Sequence, residues 1–301
     1  MDAVKASPPP LPCELLQAIF SWIHPCKVQA YRLVSRHVDS ALTDLSFARW
    51  NLAHNFRMPK PPPTILSKQA CNLDQTTEIL FHWPAHYQEA VALLRLSDLR
   101  TLDILQDQRL HGTSIPNALA ACKQLKQCFL NSNGICGNLP ALPTSVTEID
   151  LAFNALSGLL PDFENFHKLV LLNLGMNRFC GPIPVALCNL PLRKLNLAGN
   201  QFDGCIPESI GGLLHLESLN LSQNRLTGCV PESLCELPWL KMLWLCDNAL
   251  SGMLPQRMSV MKTLEFVYIA NEGLTVPDTE EFGTFISQLT FHDFSFFSGK
   301  Y

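Results

Sequence analysis

The 301-residue chain lacks the long apolar runs that mark export signals and membrane spans. Its first residues, MDAVKASPPPLP, hold no run of ~7–15 apolar residues, so no signal peptide is expected. No segment reaches the ~18 apolar residues that cross a bilayer. Charge is also scarce, at 16% of residues and a net charge of −4. This excludes the basic surface that nucleic acids or anionic lipids require, so neither nucleic acid nor membrane is expected as a partner.

The 12 cysteines form no C-x-x-C pair. In a chain without an export signal, we expect reduced thiols that serve as small buried hydrophobes rather than a disulfide framework. These features favour a cytoplasmic or nuclear protein. Gly-rich phosphate loops, the G-x-S-x-G elbow and kinase motifs are missing too. The sequence therefore predicts a binding protein without catalytic residues, cofactor or metal.

Leucine is plentiful, and it recurs in one phrase, L-x-x-L-x-L-x-x-N-x-L-x-G-x-(I/L/V)-P. Examples are LLNLGMNRFCGPIP, which ends at Pro184, and SLNLSQNRLTGCVP, which ends at Pro231. The asparagines of the phrase recur every 21 to 24 residues: Asn133, Asn154, Asn177, Asn200, Asn224 and Asn248. With one looser copy before them and one after, this periodicity predicts about eight stacked coils.

Each position of the phrase has a physical role. Alternation along a strand directs Leu172 and Leu174 into a core and Asn173 outward. The asparagine after the strand is expected to turn inward, where its amide pairs with backbone groups at the bend. The proline stops strand pairing and starts the return of the chain. No coil can bury both of its sides alone, so stability must come from stacking.

The phrase resembles the leucine-rich repeat, in the L-x-G-x-I-P subclass best known from plant receptor kinases and polygalacturonase inhibitors. The resemblance implies an α/β repeat fold, a curved solenoid whose parallel sheet lines a concave, partner-binding side. We expect the repeats at residues 99–277. A Pro-rich connector and helical N-terminal cap would occupy residues 53–98, with a short helix from Glu89 to Leu96, and an aromatic C-terminal cap residues 278–301.

A second resemblance concerns residues 11–52, which follow a flexible tail of residues 1–10. The phrase LPCELLQAIFSWIHP, followed by RLVSR, resembles an F-box, a three-helix unit that docks onto the Skp-type adaptor of a cullin–RING ubiquitin ligase. The resemblance implies an adaptor-binding set of Leu11, Pro12, Leu15, Ile19, Val28 and Val34. The alternative is that these helices only cap the open end of the solenoid.

These resemblances lead to a functional prediction with alternatives. The first is a substrate-recruiting subunit of a cullin–RING (SCF-type) ligase, with the Skp-type adaptor and an unknown protein substrate as partners. The second is a ligase-independent leucine-rich-repeat scaffold or ligand sensor. A third, a secreted or receptor-like inhibitor, is opposed by the missing export signal.

The outward strand positions supply the candidate partner-binding residues. A polar column is followed by large aromatics, which are costly to leave bare and are enriched among binding hot spots. The set is Phe129, Asp150, Asn173, Asn196, Asn220, Met242, Trp244, Phe266 and Tyr268. The alternative use of the aromatic residues is to lie under the Phe-rich tail as part of the cap.

Overall fold

The computed structural model describes residues 48, 65–67, 80–83, 85–289 and 291–293. Of the predicted unit at 11–52, only Ala48 falls within these residues, and it is buried in the main core. The three helices predicted there otherwise lie outside the described residues.

Short strands dominate the described chain. They are β1 (Ile65–Ser67), β2 (Thr101–Asp103), β3 (Gln127–Phe129), β4 (Cys136–Gly137), β5 (Glu148–Asp150), β6 (Ala155–Gly158), β7 (Leu171–Asn173), β8 (Arg178–Pro182), β9 (Lys194–Asn196), β10 (Gln201–Asp203), β11 (Ser218–Asn220), β12 (Thr227–Gly228), β13 (Met242–Trp244), β14 (Ala249–Met253), β15 (Phe266–Tyr268), β16 (Gly273–Thr275) and β17 (Phe291–Asp293).

Ten of the described strands form one parallel sheet, in the order β1-β2-β3-β5-β7-β9-β11-β13-β15-β17. The pairing keeps equivalent residues of successive coils side by side, as in Asn173, Asn196 and Asn220. The predicted solenoid of stacked parallel strands is thereby confirmed. Eight of these strands are the predicted coils, and β1 and β17 lengthen the sheet at its two ends, which the repeat phrase does not predict.

Two smaller parallel sheets, β10-β8-β6-β4 and β12-β14-β16, lie just past the asparagine of each coil. Most glycines of the phrase belong to these short strands, and Gly181 has a φ of 79°. The Cδ2 atom of Leu159 from the preceding coil would lie 2.5 Å from a Cβ added at Gly181. The left-handed backbone is what favours glycine there, because the exposed end of the Leu159 side chain can move away from an added Cβ.

Several return segments contain a short 3-10 helix, and those at residues 138–147 and 159–170 contain turns only. The helices are α1 (Ala85–Arg95), α2 (Glu280–Gln288) and the 3-10 helices η1 (Gln108–Leu110), η2 (Asn117–Ala121), η3 (Val185–Asn189), η4 (Glu208–Gly212), η5 (Glu232–Glu236) and η6 (Gln256–Val260). Each of η2 to η6 begins directly after a proline, which is in an extended conformation before η2 to η5. The proline fixes φ and cannot donate to a ladder, which ends strand pairing as the phrase predicts.

The two α-helices close the ends of the core. Helix α1 begins four residues before the helix predicted for Glu89 to Leu96 and ends one residue before its end. It packs against η2, with Tyr87, Ala90 and Val91 buried. Helix α2 packs against η6 and buries Phe282 and Phe285. Between these ends, the inward leucines, such as Leu172 and Leu174, are fully buried. Each contributes about 1.5–3 kcal/mol on burial.

The asparagines form the predicted inward ladder. Asn200 accepts a hydrogen bond at Oδ1 from the N–H of Phe179 (3.0 Å) and donates from Nδ2 to the carbonyls of Leu174 and Leu197 (both 3.0 Å). One side chain therefore joins two coils. The ladder continues to Asn271 at its C-terminal end, where Asn271 accepts from the N–H of the preceding ladder residue.

The described cysteines differ in burial, from core positions through partly buried ones to exposed ones. Cys122, Cys128 and Cys188 lie in the core, as predicted for small hydrophobes, whereas Cys205 and Cys229 are exposed. Burial raises the pKa of the Cys122 thiol to about 11 and, with a smaller contribution from Cys122, that of Cys128 to about 12. At pH 8 the buried thiols are consequently protonated and shielded, and the protonated form is not the nucleophile.

Iodoacetamide at pH 8 is therefore expected to alkylate Cys205 and Cys229 of the folded protein and to leave Cys122 and Cys128 unmodified. Peptide mass spectrometry of the digested protein checks this result, with a sample unfolded in urea as the control in which all four react. Modification of Cys128 in the folded protein as fast as that of Cys229 would contradict the burial described above.

Candidate functional site

The outward face of the ten-stranded sheet is the candidate site, and we call it the sheet face. In most of the strands from β2 to β15 the middle residue is buried and the two outer residues are partly exposed. The last residues of these strands lie side by side across the sheet. They are Asp103, Phe129, Asp150, Asn173, Asn196, Asn220, Trp244 and Tyr268. The structure thus brings the predicted column together, with Met242 and Phe266 on the neighbouring outward position.

The centre of this column is a row of three amides, Asn173, Asn196 and Asn220, which we call the amide row. Each side chain accepts at Oδ1 from a backbone N–H two residues later, over 3.2 Å, 3.0 Å and 3.1 Å respectively. Within the described residues no Nδ2 group of the row makes a hydrogen bond. Each Oδ1 already accepts a bond from its own strand end, whereas both N–H donors of each Nδ2 group are unused, so the row mainly offers donors to a ligand. Such a row complements peptide carbonyls or carboxylates.

The C-terminal end of the face carries the predicted aromatic residues. Met242 pairs in register with Phe266, and Trp244 with Tyr268; together these four form the aromatic patch. All four are partly buried. Strand β17 pairs with β15, opposite Tyr268 at Asp293, and α2 packs on η6. The described part of the tail therefore lies beside the aromatic patch and not over it.

The N-terminal end of the face is acidic. Asp103 and Asp150 flank Phe129 in register, and Glu148 occupies the other outward position of β5. Glu148 accepts a hydrogen bond at Oε1 from Nε2 of Gln127 (3.2 Å). We call Asp103, Phe129, Glu148 and Asp150 the acidic end.

Two further apolar side chains border the sheet face and were not predicted. Phe153 is 61% exposed and Met176 is 45% exposed. Both occupy the position before the ladder asparagine, where φ is near +55° and other coils have small or polar residues such as Ser132 and Gln223. An apolar residue at a position that is otherwise polar, in two successive copies of the phrase, is the sequence signal that could have identified them.

The predicted adaptor-binding residues lie outside the described residues: Leu11, Pro12, Leu15, Ile19, Val28 and Val34. Among the described residues, His, Cys, Asp and Glu do not gather in groups of three or more that could hold a metal ion. No helix in the described ranges has both the length and the apolar character needed to span a bilayer.

Comparison with protein families identifies the repeat. Models described as leucine rich repeat match residues 190–250 and 168–190, and no F-box domain was found, which leaves the F-box resemblance unconfirmed. Over 123 residues, which are 40% of this chain, the sequence is 40% identical to the LRR receptor-like serine/threonine-protein kinase GSO2 of Arabidopsis thaliana. It spans about a tenth of the length of the curated relatives it matches.

Solved structures agree with the assignment of leucine-rich repeats. The LRR ectodomain of the plant membrane receptor kinase GASSHO1/SCHENGEN3 from Arabidopsis thaliana, in complex with CASPARIAN STRIP INTEGRITY FACTOR 2, superposes with a TM-score of 0.61 at 28% identity, over 70% of this chain and 25% of that one. The plant peptide hormone receptor RGFR1 in complex with RGF2 gives 0.57 at 31% identity, over 68% and 34% of the two chains.

These comparisons correct three sequence predictions. The ligase-subunit prediction is wrong, because the relatives are receptor-like repeat proteins and the matched structures include a plant peptide hormone receptor in complex with RGF2. The Skp-type adaptor and ligase substrate are contradicted as partners by the same findings. The cytoplasmic or nuclear location is contradicted because the matches are receptor-like and the GASSHO1/SCHENGEN3 structure is an ectodomain.

Proposed function

We propose that the chain is a ligand-binding leucine-rich-repeat scaffold that holds an extended peptide across its sheet face. The observation that carries the proposal is the in-register column in which three amide donors lead to Trp244 and Tyr268. An extended peptide has carbonyl groups for the amide row and side chains for the aromatic patch. The proposal is one of binding, without a chemical step.

Physical complementarity supports this reading. Aromatic side chains on an outward strand position are costly to leave in water, and Trp and Tyr are enriched among binding hot spots. The Nδ2 donors of the amide row make no hydrogen bond within the described residues, so a ligand rich in acceptors satisfies them best. The matched receptor structures, which show the same solenoid, are complexes with CASPARIAN STRIP INTEGRITY FACTOR 2 and with RGF2, and this supports a ligand-binding role. We extend the proposal to the extracellular location of such ectodomains.

Replacing Trp244 by Ala is expected to weaken peptide binding by about 2 kcal/mol or more, roughly 30-fold in Kd, with little effect on folding. The probe is the tightest peptide selected from a phage library of random dodecapeptides, and calorimetry measures its Kd. Trp239→Ala is the matched control, because Trp239 is 57% exposed and lies between η5 and β13, outside the sheet face.

Two results would contradict the proposal. One is equal weakening by Trp239→Ala and Trp244→Ala, which would place the peptide elsewhere. The other is a selection that enriches no peptide above background for a folded protein, with folding verified by thermal unfolding of each variant.

A further inference from the structure

The acidic end of the sheet face combines an aromatic ring with carboxylates. Phe129 on β3 is flanked in register by Asp103 on β2 and Asp150 on β5, and all three side chains are partly exposed. Glu148 lies on the same strand as Asp150, two residues earlier and on the same face. The ring of Phe129 is therefore bordered by carboxylates along the sheet, a setting that attracts positive charge.

These carboxylates keep oxygens available for a ligand. Asp150 uses Oδ1 to accept from the N–H of Ala152 (3.1 Å), and Glu148 uses Oε1 to accept from Gln127 (3.2 Å). Among the described residues, the remaining oxygens of both groups make no hydrogen bond, and neither they nor Asp103 form an ion pair.

The nearest cations in the sequence do not neutralise the acidic end. Arg100 and Lys126 precede β2 and β3 by one residue, and both are exposed. Because side chains alternate between the two faces of a strand, the positions of Arg100 and Lys126 belong to the opposite face from those of Asp103 and Phe129. No described ion pair joins either of them to a carboxylate of the acidic end.

We propose that the acidic end binds a basic side chain of the ligand, an arginine or lysine whose cation lies over Phe129 between the carboxylates. This inference rests on the proposed function and adds the chemistry of one ligand residue. A cation over an aromatic face is attracted by the ring quadrupole, and arginine also pairs with carboxylates through two parallel hydrogen bonds. Continuity with the amide row and the aromatic patch makes this the other end of one binding face.

The sheet also fixes the spacing of the ligand's two anchor residues. Five strand steps separate Phe129 on β3 from Trp244 on β13, in the order β3-β5-β7-β9-β11-β13. Neighbouring strands are about 4.8 Å apart, which gives roughly 24 Å, and an extended peptide rises about 3.3 Å per residue. The ligand should therefore carry its basic residue about seven positions from the apolar residue that meets the aromatic patch.

The test uses the same dodecapeptide selection on the full chain. Wild-type protein should enrich peptides with Arg or Lys six to eight positions from an aromatic or large aliphatic residue. The double variant Asp103→Asn, Asp150→Asn should bind the best such peptide at least tenfold more weakly. Asp150→Asn creates the residue that occupies this position in three neighbouring coils and keeps the acceptor for Ala152, so the fold is preserved.

The matched control is Asp203→Asn, which removes an exposed carboxylate of β10 outside the sheet face and should leave the Kd unchanged. Raising NaCl from 50 to 500 mM should weaken binding to wild type more than to the double variant, because exposed charge pairs are screened. Peptides enriched without a basic residue, or bound equally by wild type and double variant, would overturn this inference and leave the proposed function standing. Failure to enrich any peptide would overturn both.

Discussion

Replacing Asn200 by Ala is expected to lower the free energy of unfolding by about 3–5 kcal/mol. The change leaves the buried N–H of Phe179 without its acceptor. It also removes the bonds from Nδ2 to the carbonyls of Leu174, Leu197 and Ala198. Each carbonyl keeps a second donor, so the orphaned N–H carries the larger penalty.

Asn196→Ala is the matched control, because it removes the same side chain from the same coil on the opposite side of the strand end. Asn196 makes one hydrogen bond, to the N–H of Ala198, and is partly exposed, so its loss should cost under about 1 kcal/mol. Urea unfolding monitored by circular dichroism measures both variants. The distinction between inward and outward asparagines would be refuted if the free energy of unfolding of Asn200→Ala lay within about 1 kcal/mol of the wild-type value. It would also be refuted if both variants lost the same free energy of unfolding.

The two asparagines show what the sequence could predict. Strand alternation assigns Asn196 to the outer face, and the bend after the strand assigns Asn200 to the inside, because backbone groups there need partners. Both assignments follow from local chemistry repeated in every coil. The inner architecture of the repeats was therefore predictable from the phrase.

The ends of the sheet were not predictable in the same way. Strands β1 and β17 lie in segments without the repeat phrase and pair because the open edges of β2 and β15 offer unpaired backbone groups. Such pairing depends on the neighbouring coil and not on the sequence of the added strand. The partner class was also missed, because the repeat phrase fixes inward residues and leaves outward ones, such as Phe129 and Trp244, free to vary.

The centre of the solenoid holds a second stabilising feature, the ring pair of Phe179 and Phe202. Both rings are fully buried, 6.4 Å apart between centroids and nearly parallel at 14°. They lie two residues after the ladder asparagine, where neighbouring coils have Leu156 and Leu226. The backbone N–H groups of both phenylalanines donate to ladder asparagines of the next coil. The ladder and the ring pair therefore stabilise the same contact between coils.

Phe202→Ala is accordingly expected to lower the free energy of unfolding by about 3–5 kcal/mol, because it removes a buried ring and leaves a cavity. Phe202→Leu, which supplies the residue of the neighbouring coils, should cost less than about 1.5 kcal/mol. A double-mutant cycle with Phe179→Ala should show a coupling of about 0.5–1.5 kcal/mol between the rings. Urea unfolding of the wild type and the four variants measures these values. If Phe202→Ala lowers the free energy of unfolding no more than Phe202→Leu does, the coils close around the missing ring. If the coupling energy is zero, the stacked rings stabilise the solenoid independently.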